Sequence, residues 1–206
     1  IYTDADYSAN PERPGEGDYL RGTDPAGYMD HPWAIAQEVN AVDPAQANKQ
    51  ILHELDRGAT AVNVKLCGGV KVENEADMAK LFEGVVLPAA GLHVTAGGSA
   101  ISKLKLAKAA VKDFDKAEGC FGADPIGIRL SVSLGSNFFM EIAKLRAMRV
   151  VYARMARAYG AGDEAAKADV YARTSAFTKT VFDPYVNILR TTTEAFSGVV
   201  GGINAM

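Results

Sequence analysis

The chain reads as an α/β protein organised on parallel β-structure, and two observations lead there. Short apolar runs rich in β-branched residues alternate along the sequence with segments of helical period, the pattern of βαβ units. Helix start and stop signals also fall between the two kinds of segment. Strand-type runs occupy Ala34–Val39, Ala61–Leu66, Leu92–Ala96, Gly119–Ala123, Leu130–Leu134 and Tyr171–Phe177. Helical patterns occupy Pro44–Arg57, Glu75–Gly84, Ala100–Phe114, Asn137–Tyr159 and Pro184–Val199.

Each element has a local reason. Asp43-Pro44 opens the first helix, an N-cap side chain followed by Pro at N1, and Gly58 closes it. The fourth helix carries Phe138, Ile142, Leu145, Met148, Tyr152 and Met155 at spacings of three and four. Ser136 is its expected N-cap, and Lys144, Arg146 and Arg149 are expected away from that apolar face. Residues 1–31, with Pro11, Pro14, Pro25 and Gly15, Gly17, Gly22 and Gly27, read as an extended arm too polar for a core of its own. Tyr2, Tyr7, Tyr19 and Tyr28 suit it to burial against another subunit.

One junction breaks the pattern. Only about six residues, Pro125 and Gly127 among them, separate Gly119–Ala123 from Leu130–Leu134. A parallel pair needs a crossover of about a dozen residues or more. A segment of the natural protein is therefore expected to be missing near Gly127–Arg129.

Bulk properties narrow the function. A chain of 206 residues, 48% hydrophobic and 23% charged, can bury one sizeable core. A net charge of −3 offers no electrostatic reason to bind nucleic acid or an acidic membrane. Cys67 and Cys120 make neither a zinc spacing nor a disulfide framework, and read as reduced thiols of a cytoplasmic protein. No apolar run approaches a membrane span, and the first residues are not a signal peptide.

Two words then carry a resemblance. Asn-Phe-Phe-Met-Glu-Ile-Ala-Lys-Leu-Arg-Ala-Met-Arg at 137–149 and Phe-Asp-Pro-Tyr-Val-Asn-Ile-Leu-Arg-Thr-Thr-Thr-Glu-Ala-Phe-Ser-Gly-Val-Val-Gly-Gly at 182–202 strongly resemble the adenosylcobalamin-dependent acyl-CoA mutases. Within them the chain is most like the small, non-catalytic subunit of methylmalonyl-CoA mutase. The resemblance spans about residues 17 to 206 and is thin in the first hundred. It implies a (β/α)₈ TIM-type barrel over residues 32–206, incomplete here, with the fifth and eighth strands apparently missing. Related sequences carry an extra strand–helix unit between the words Gly122-Ala123-Asp124-Pro125-Ile126-Gly127 and Arg129-Leu130-Ser131, and the chain stops at Met206 inside what would be the eighth strand.

The resemblance also implies roles, residue by residue. The active chain opens its barrel with a word like Arg-Pro-Trp-Thr-Ile-Arg-Gln-Tyr, whose Arg and Tyr face the substrate. This chain has His31-Pro32-Trp33-Ala34-Ile35-Ala36-Gln37-Glu38, so His31 replaces the Arg and Glu38 the Tyr. A carboxylate there would repel a carboxylate substrate. In the fourth strand Gly119-Cys120-Phe121-Gly122 puts Gly122 where the active chain has Gln. The family's general-acid histidine lies in the fifth strand, which this sequence lacks. Catalytic residues are thus expected to be degenerate. Arg129 and Ser131 match family residues that contact the phosphates of coenzyme A, although an Arg at a strand start is also commonly solvated. Gly97-Gly98-Ser99 is a turn able to cradle an anion, or simply a turn. No Asp-x-His-x-x-Gly word occurs, so adenosylcobalamin is expected on a partner, the large catalytic subunit of a heterodimer, with no cofactor and no metal on this chain. His53 and His93 read as surface or core histidines rather than ligands. A second reading keeps the chain as an enzyme: the substrate-binding chain of a related cobalamin-dependent mutase, in which His31 and Glu38 alter acyl specificity. A third is a stand-alone barrel that binds CoA thioesters without radical chemistry.

Overall fold

The computed structural model describes residues 12–95, 100–111 and 129–206, the side chains of 100, 101, 104 and 129 excepted. They form β1 (Ala36–Val39), α1 (Pro44–Asp56), β2 (Ala61–Lys65), α2 (Glu75–Leu81), β3 (Gly91–Thr95), α3 (Ala100–Ala110), β4 (Arg129–Leu134), α4 (Phe138–Ala158), β5 (Asp169–Thr174) and α5 (Val186–Gly201). The protein is α/β, and every strand pairing is parallel: β1–β2–β3 in one sheet, β4–β5 in another. Among the described residues these are two sheets of three and two strands, where the sequence suggested six strands of one barrel. The strand expected at Gly119–Ala123, and the junction at Gly127–Arg129 as far as residue 128, lie outside the described residues.

The chain divides into two compact units. The second unit takes the described residues of Ala34–Gly127 with Ala205–Met206, and the first takes those of Ile1–Trp33 and Ile128–Asn204. This differs from the expected division at residue 31.

In the second unit, strand alternation sends Val39, Val62, Val64 and Leu92 into a core with Ile51 of α1 and Met78 and Leu81 of α2. Asp43 caps α1 as expected, its Oδ2 accepting from Gln46 N at 3.0 Å with Pro44 in the first turn. Asn74 caps α2 in the same way. β1 begins at Ala36; Ala34 makes only a single parallel bridge, to Ala205.

In the first unit, Val170 and Ala172 of β5 and Leu134 of β4 are buried, and α4 packs against α5. The N-cap of α4 is Asn137, which accepts from Met140 N at 3.4 Å, rather than Ser136. β5 runs Asp169–Thr174 instead of Tyr171–Phe177; just beyond it Ser175 N donates to Leu134 O (2.9 Å) and also reaches the Glu194 carboxylate (3.2 Å). α5 ends at Gly201, with Gly202 as a left-handed C-cap (φ 84°).

The largest correction concerns Arg149. It is 1% exposed and sits on the buried face of α4 beside Leu145 and Tyr152, while Met155, expected in the core, is 47% exposed. The guanidinium donates from Nε to Tyr19 O (3.0 Å), from Nη2 to Leu20 O (3.2 Å) and from Nη1 to Gly202 O (3.0 Å). Burial lowers its pKa to about 10, so it remains charged at neutral pH.

The N-terminal stretch is accordingly not an extended arm over residues 12–33. Its turns fold onto α4 and α5 of the same chain. Tyr19 is 3% exposed and its hydroxyl donates to Asp163 O; Asp18 accepts from Arg154 and Arg157. Tyrosines expected to be buried by another subunit are satisfied internally at positions 19 and 28. Tyr19 adopts φ 59°, a left-handed conformation costing about 1 kcal/mol, which burial of its ring and the Arg149 bond offset.

Three substitutions test this arrangement. Arg149→Met should cost about 2–4 kcal/mol in urea unfolding and release hydrogen-exchange protection in residues 17–29, because the carbonyls of Tyr19, Leu20 and Gly202 lose the guanidinium, with Gly22 N left as a donor to Tyr19 O. Arg154→Met, at a side chain 71% exposed, should cost less than about 1 kcal/mol. A Cβ at Gly201 would collide with Leu145 of α4; Gly201→Ala should destabilise by about 1–3 kcal/mol.

Candidate functional site

The register of the second sheet lines up a polar row on the face turned away from the core. Glu38 pairs with Asn63, Asn63 with His93, and Lys65 with Thr95. Asn63 and His93 are 4% and 5% exposed, and both have polar or electrostatic partners. Lys65 Nζ donates to Glu38 Oε1 at 2.7 Å. The carboxylate at position 38 is therefore neutralised by a lysine two residues along the neighbouring strand, and the simple repulsion expected of it does not hold. His53 lies exposed on α1.

The first sheet has a similar face. Arg129 pairs with Asp169, Ser131 with Tyr171 and Ser133 with Arg173, while the alternate residues Val170, Ala172 and Leu134 are buried. Ser131 is exposed, so its hydroxyl is available. Immediately after β5, Glu194 of α5 accepts from Ser175 N (3.2 Å), Thr178 Oγ1 (2.5 Å) and Lys179 Nζ (2.5 Å). This fully buried carboxylate pins the loop that follows the strand, the position where parallel α/β folds place functional loops.

The first unit also holds a cleft of about 590 Å³ whose lining includes Arg21, Asp24, Tyr28, His31, Trp33 and Lys167. That volume is typical of a small-molecule site. His31 Nε2 stands 4.0 Å from Asp24 Oδ2 and its side chain is 83% exposed. The hydrogen bond from Lys167 to Glu164 (2.7 Å) holds the ammonium above its usual pKa. The Tyr28 hydroxyl donates to Ile203 O at 2.6 Å, with Val199 O at 3.2 Å; burial pushes its pKa up to about 12, against a smaller opposing pull from Arg149. Cations beside two aromatic faces suit an anionic ligand with a planar group.

His31 and Glu38, the two ends of the family's word, fall in different units. Gly122 and the Gly97-Gly98-Ser99 turn lie outside the described residues. Lys65, Lys167 and Glu194 were not singled out from sequence. Glu194 had a signal, since it stands on the same helix face as Ser197 and Gly201. Among the described residues no group of three metal-binding side chains converges, and no helix is long and apolar enough to cross a membrane.

The family model for methylmalonyl-CoA mutase matches residues 1–128 and 118–206, which together cover the whole chain. The chain belongs to the methylmalonyl-CoA mutase family. Similar relatives include the methylmalonyl-CoA mutase small subunit of Porphyromonas gingivalis, 44% identical over 81 residues (38% of this chain, 13% of the relative). The small subunit of Streptomyces virginiae is 29% identical over 150 residues, 70% of this chain and 24% of the relative. The Porphyromonas gingivalis large subunit is 37% identical over 81 residues, 38% of this chain and 11% of the relative. The chain thus spans a quarter or less of the length of these mutase relatives. The family is one of isomerases.

The Tyr28 phenol provides a local test of the cleft. In an absorbance titration at 295 nm, the component lost in Tyr28→Phe should lie near pH 12 instead of 10. Because the folded pKa is raised, the stabilisation from the neutral phenol is complete below pH 10 and is lost as pH rises through about 12. A lost component near pH 10 would mean the hydroxyl is solvated.

Proposed function

We propose that this chain is the barrel region of the structural small subunit of a methylmalonyl-CoA mutase, in an assembly that interconverts methylmalonyl-CoA and succinyl-CoA. The observation that carries the reading is the pair of replacements at the barrel's opening word: His31 for Arg, and Glu38 for Tyr with its carboxylate engaged by Lys65. Two small subunits among the similar relatives support it. In this reading the large catalytic subunit is the heterodimer partner and holds adenosylcobalamin, which supplies the radical chemistry. The histidines here do not fit that cofactor. His93 is buried in a sheet, His53 and His31 are solvent-exposed, and none stands in an Asp-x-His-x-x-Gly word.

The barrel itself is part of the proposal. Two features support it. The two stretches of the family match meet at 118–128, at the junction where the sequence lacks room for a crossover. Residues 204–206 also make the pairings that a beginning eighth strand would make: Asn204 N donates to Val170 O, and Met206 N to Ala34 O. A cytoplasmic location and a further subunit contact by the N-terminal residues belong to the same reading.

Residual acyl-CoA contact is assigned to the first unit. Arg129 opens β4 opposite Asp169, and Lys167 precedes β5 by two residues, so both stand at the amino-terminal end of the two-stranded sheet. Ser131 is one step along the same face, and the cleft with Arg21, His31 and Trp33 adjoins Lys167. Arg and Lys as residue types suit a diphosphate, and Trp33 suits a purine.

Two experiments test the proposal. The purified chain with added adenosylcobalamin should show no mutase turnover and no cobalamin spectrum after gel filtration, while its complex with the large subunit should show both; turnover by the chain alone at the rate of the complex would make it the catalytic chain. In calorimetric titration with coenzyme A, Lys167→Ala should weaken binding about 10-fold. Equal affinity of variant and parent would remove the cleft from the site.

A further inference from the structure

We infer that Asp24 is the specificity-determining residue of the cleft in the first unit: a tethered carboxylate that occupies the place of an anionic ligand and is displaced by one. The inference deepens, and rests on, the assignment of a diphosphate ligand to that cleft.

Charge is the first observation. Arg21, His31 and Lys167 line the cleft, and Asp24 is the one acidic side chain among its described lining residues. The two carboxylate oxygens do different things. Oδ1 accepts from Ala26 N at 2.8 Å and so closes a tight turn, in which Gly27 N also donates to Asp24 O (3.1 Å). Oδ2 stands 4.0 Å from His31 Nε2, beyond hydrogen-bond distance. The Lys167 ammonium feels the same carboxylate, after the stronger pulls of Glu164 and Tyr19. Glu164 is itself 87% exposed and outside the cleft lining, so its ion pair leaves Lys167 available to a ligand. A carboxylate that acts on a lysine and a histidine without a close contact to either is a weak counter-ion. A ligand group with two or more negative charges outcompetes it.

The backbone is the second observation. Asp24 rides on an arch, residues 22–27, with a positive-φ glycine at each end: Gly22 at 131° and Gly27 at 61°. A Cβ at either would meet nothing within 4 Å, so these glycines serve the path of the chain and not close packing. Tethers lie on both sides of the arch. Arg149 holds the carbonyls of Tyr19 and Leu20, and the Tyr28 hydroxyl holds the carbonyl of Ile203. Among the described residues, none from 21 to 27 hydrogen-bonds to a residue beyond 33. The arch is thus built to swing between two fixed points, with glycines where the φ change is absorbed. A neutral ligand gains nothing by moving it. A diphosphate replaces Asp24 in front of His31 and Lys167 and gains Arg21 beside them.

The experiment is calorimetric titration of the purified chain with inorganic diphosphate, coenzyme A and pantetheine at one ionic strength. Asp24→Asn keeps an acceptor for Ala26 N and removes only the charge. It should tighten diphosphate and coenzyme A about 10-fold and leave the response to pantetheine unchanged. Asp24→Ser, which also keeps an acceptor there, should do the same. Asp30→Asn makes the same charge change outside the lining and should move neither anion by more than about 2-fold. Adding Lys167→Ala to Asp24→Asn should remove most of the gain, because a cation that Asp24 attends is then gone. Diphosphate affinity unchanged or weakened by Asp24→Asn, or a gain matched by Asp30→Asn, would overturn the inference. Tighter diphosphate binding by Asp24→Asn, with no coenzyme A bound by either chain, would uphold the tethered anion and overturn the coenzyme reading. Parent and Asp24→Asn chains that both fail to bind diphosphate would overturn the inference, and the coenzyme titration would then decide the coenzyme reading alone.

Discussion

The first unit depends on one buried cation. Among the described residues, Arg149 is held by the carbonyls of Tyr19, Leu20 and Gly202 and not by a carboxylate. A guanidinium in a largely apolar setting is costly unless its donors are met, and the backbone here supplies the acceptors. The interaction joins three segments distant in sequence: the N-terminal turns, the middle of α4 and the C-cap of α5. Gly202 completes it. Its left-handed φ admits few other residues, and a Cβ there would stand 3.0 Å from Arg149 Nη1. Because Gly202 and Ile203 also line the cleft beside Arg21 and Tyr28, the same interaction shapes the candidate ligand site.

A second constraint is the two-residue period of the strands. Each sheet buries one apolar face and leaves a polar one, Glu38–Asn63–Lys65–His93 in the second unit and Ser131–Tyr171–Arg173 in the first. In open α/β sheets ligands bind outside the carboxyl ends of the strands, where such a row ends. Here its most exposed carboxylate is neutralised by a lysine and its histidine is buried, an arrangement suited to holding a structure rather than to moving protons. Glu194 follows the same logic, spending its charge on the loop after β5.

Much of the element order was legible from periodicity and punctuation. Asp43-Pro44 started α1 and Gly58, at φ 104°, followed its end for reasons local to a few residues. The family likeness was legible as well, in the words at 137–149 and 182–202. The two misreadings on the faces of α4 come from reading burial off residue type. Arg149 stands four residues after Leu145 and three before Tyr152, squarely on the apolar face, and was read as solvent-facing because of its type. Met155 was read as buried for the same kind of reason. The arm was read as extended because its composition cannot build a core, although such a segment can still borrow one.

The amino-acid sequence by itself determined the α/β class, the cap of α1 and the family, because these reside in neighbouring residues and in short-range sterics. Only the tertiary structure decided what neutralises Glu38 and what satisfies Arg149. Those outcomes depend on side chains brought together from Tyr19 to Gly202, and a carbonyl 130 residues away in sequence leaves no periodic trace beside the cation that binds it.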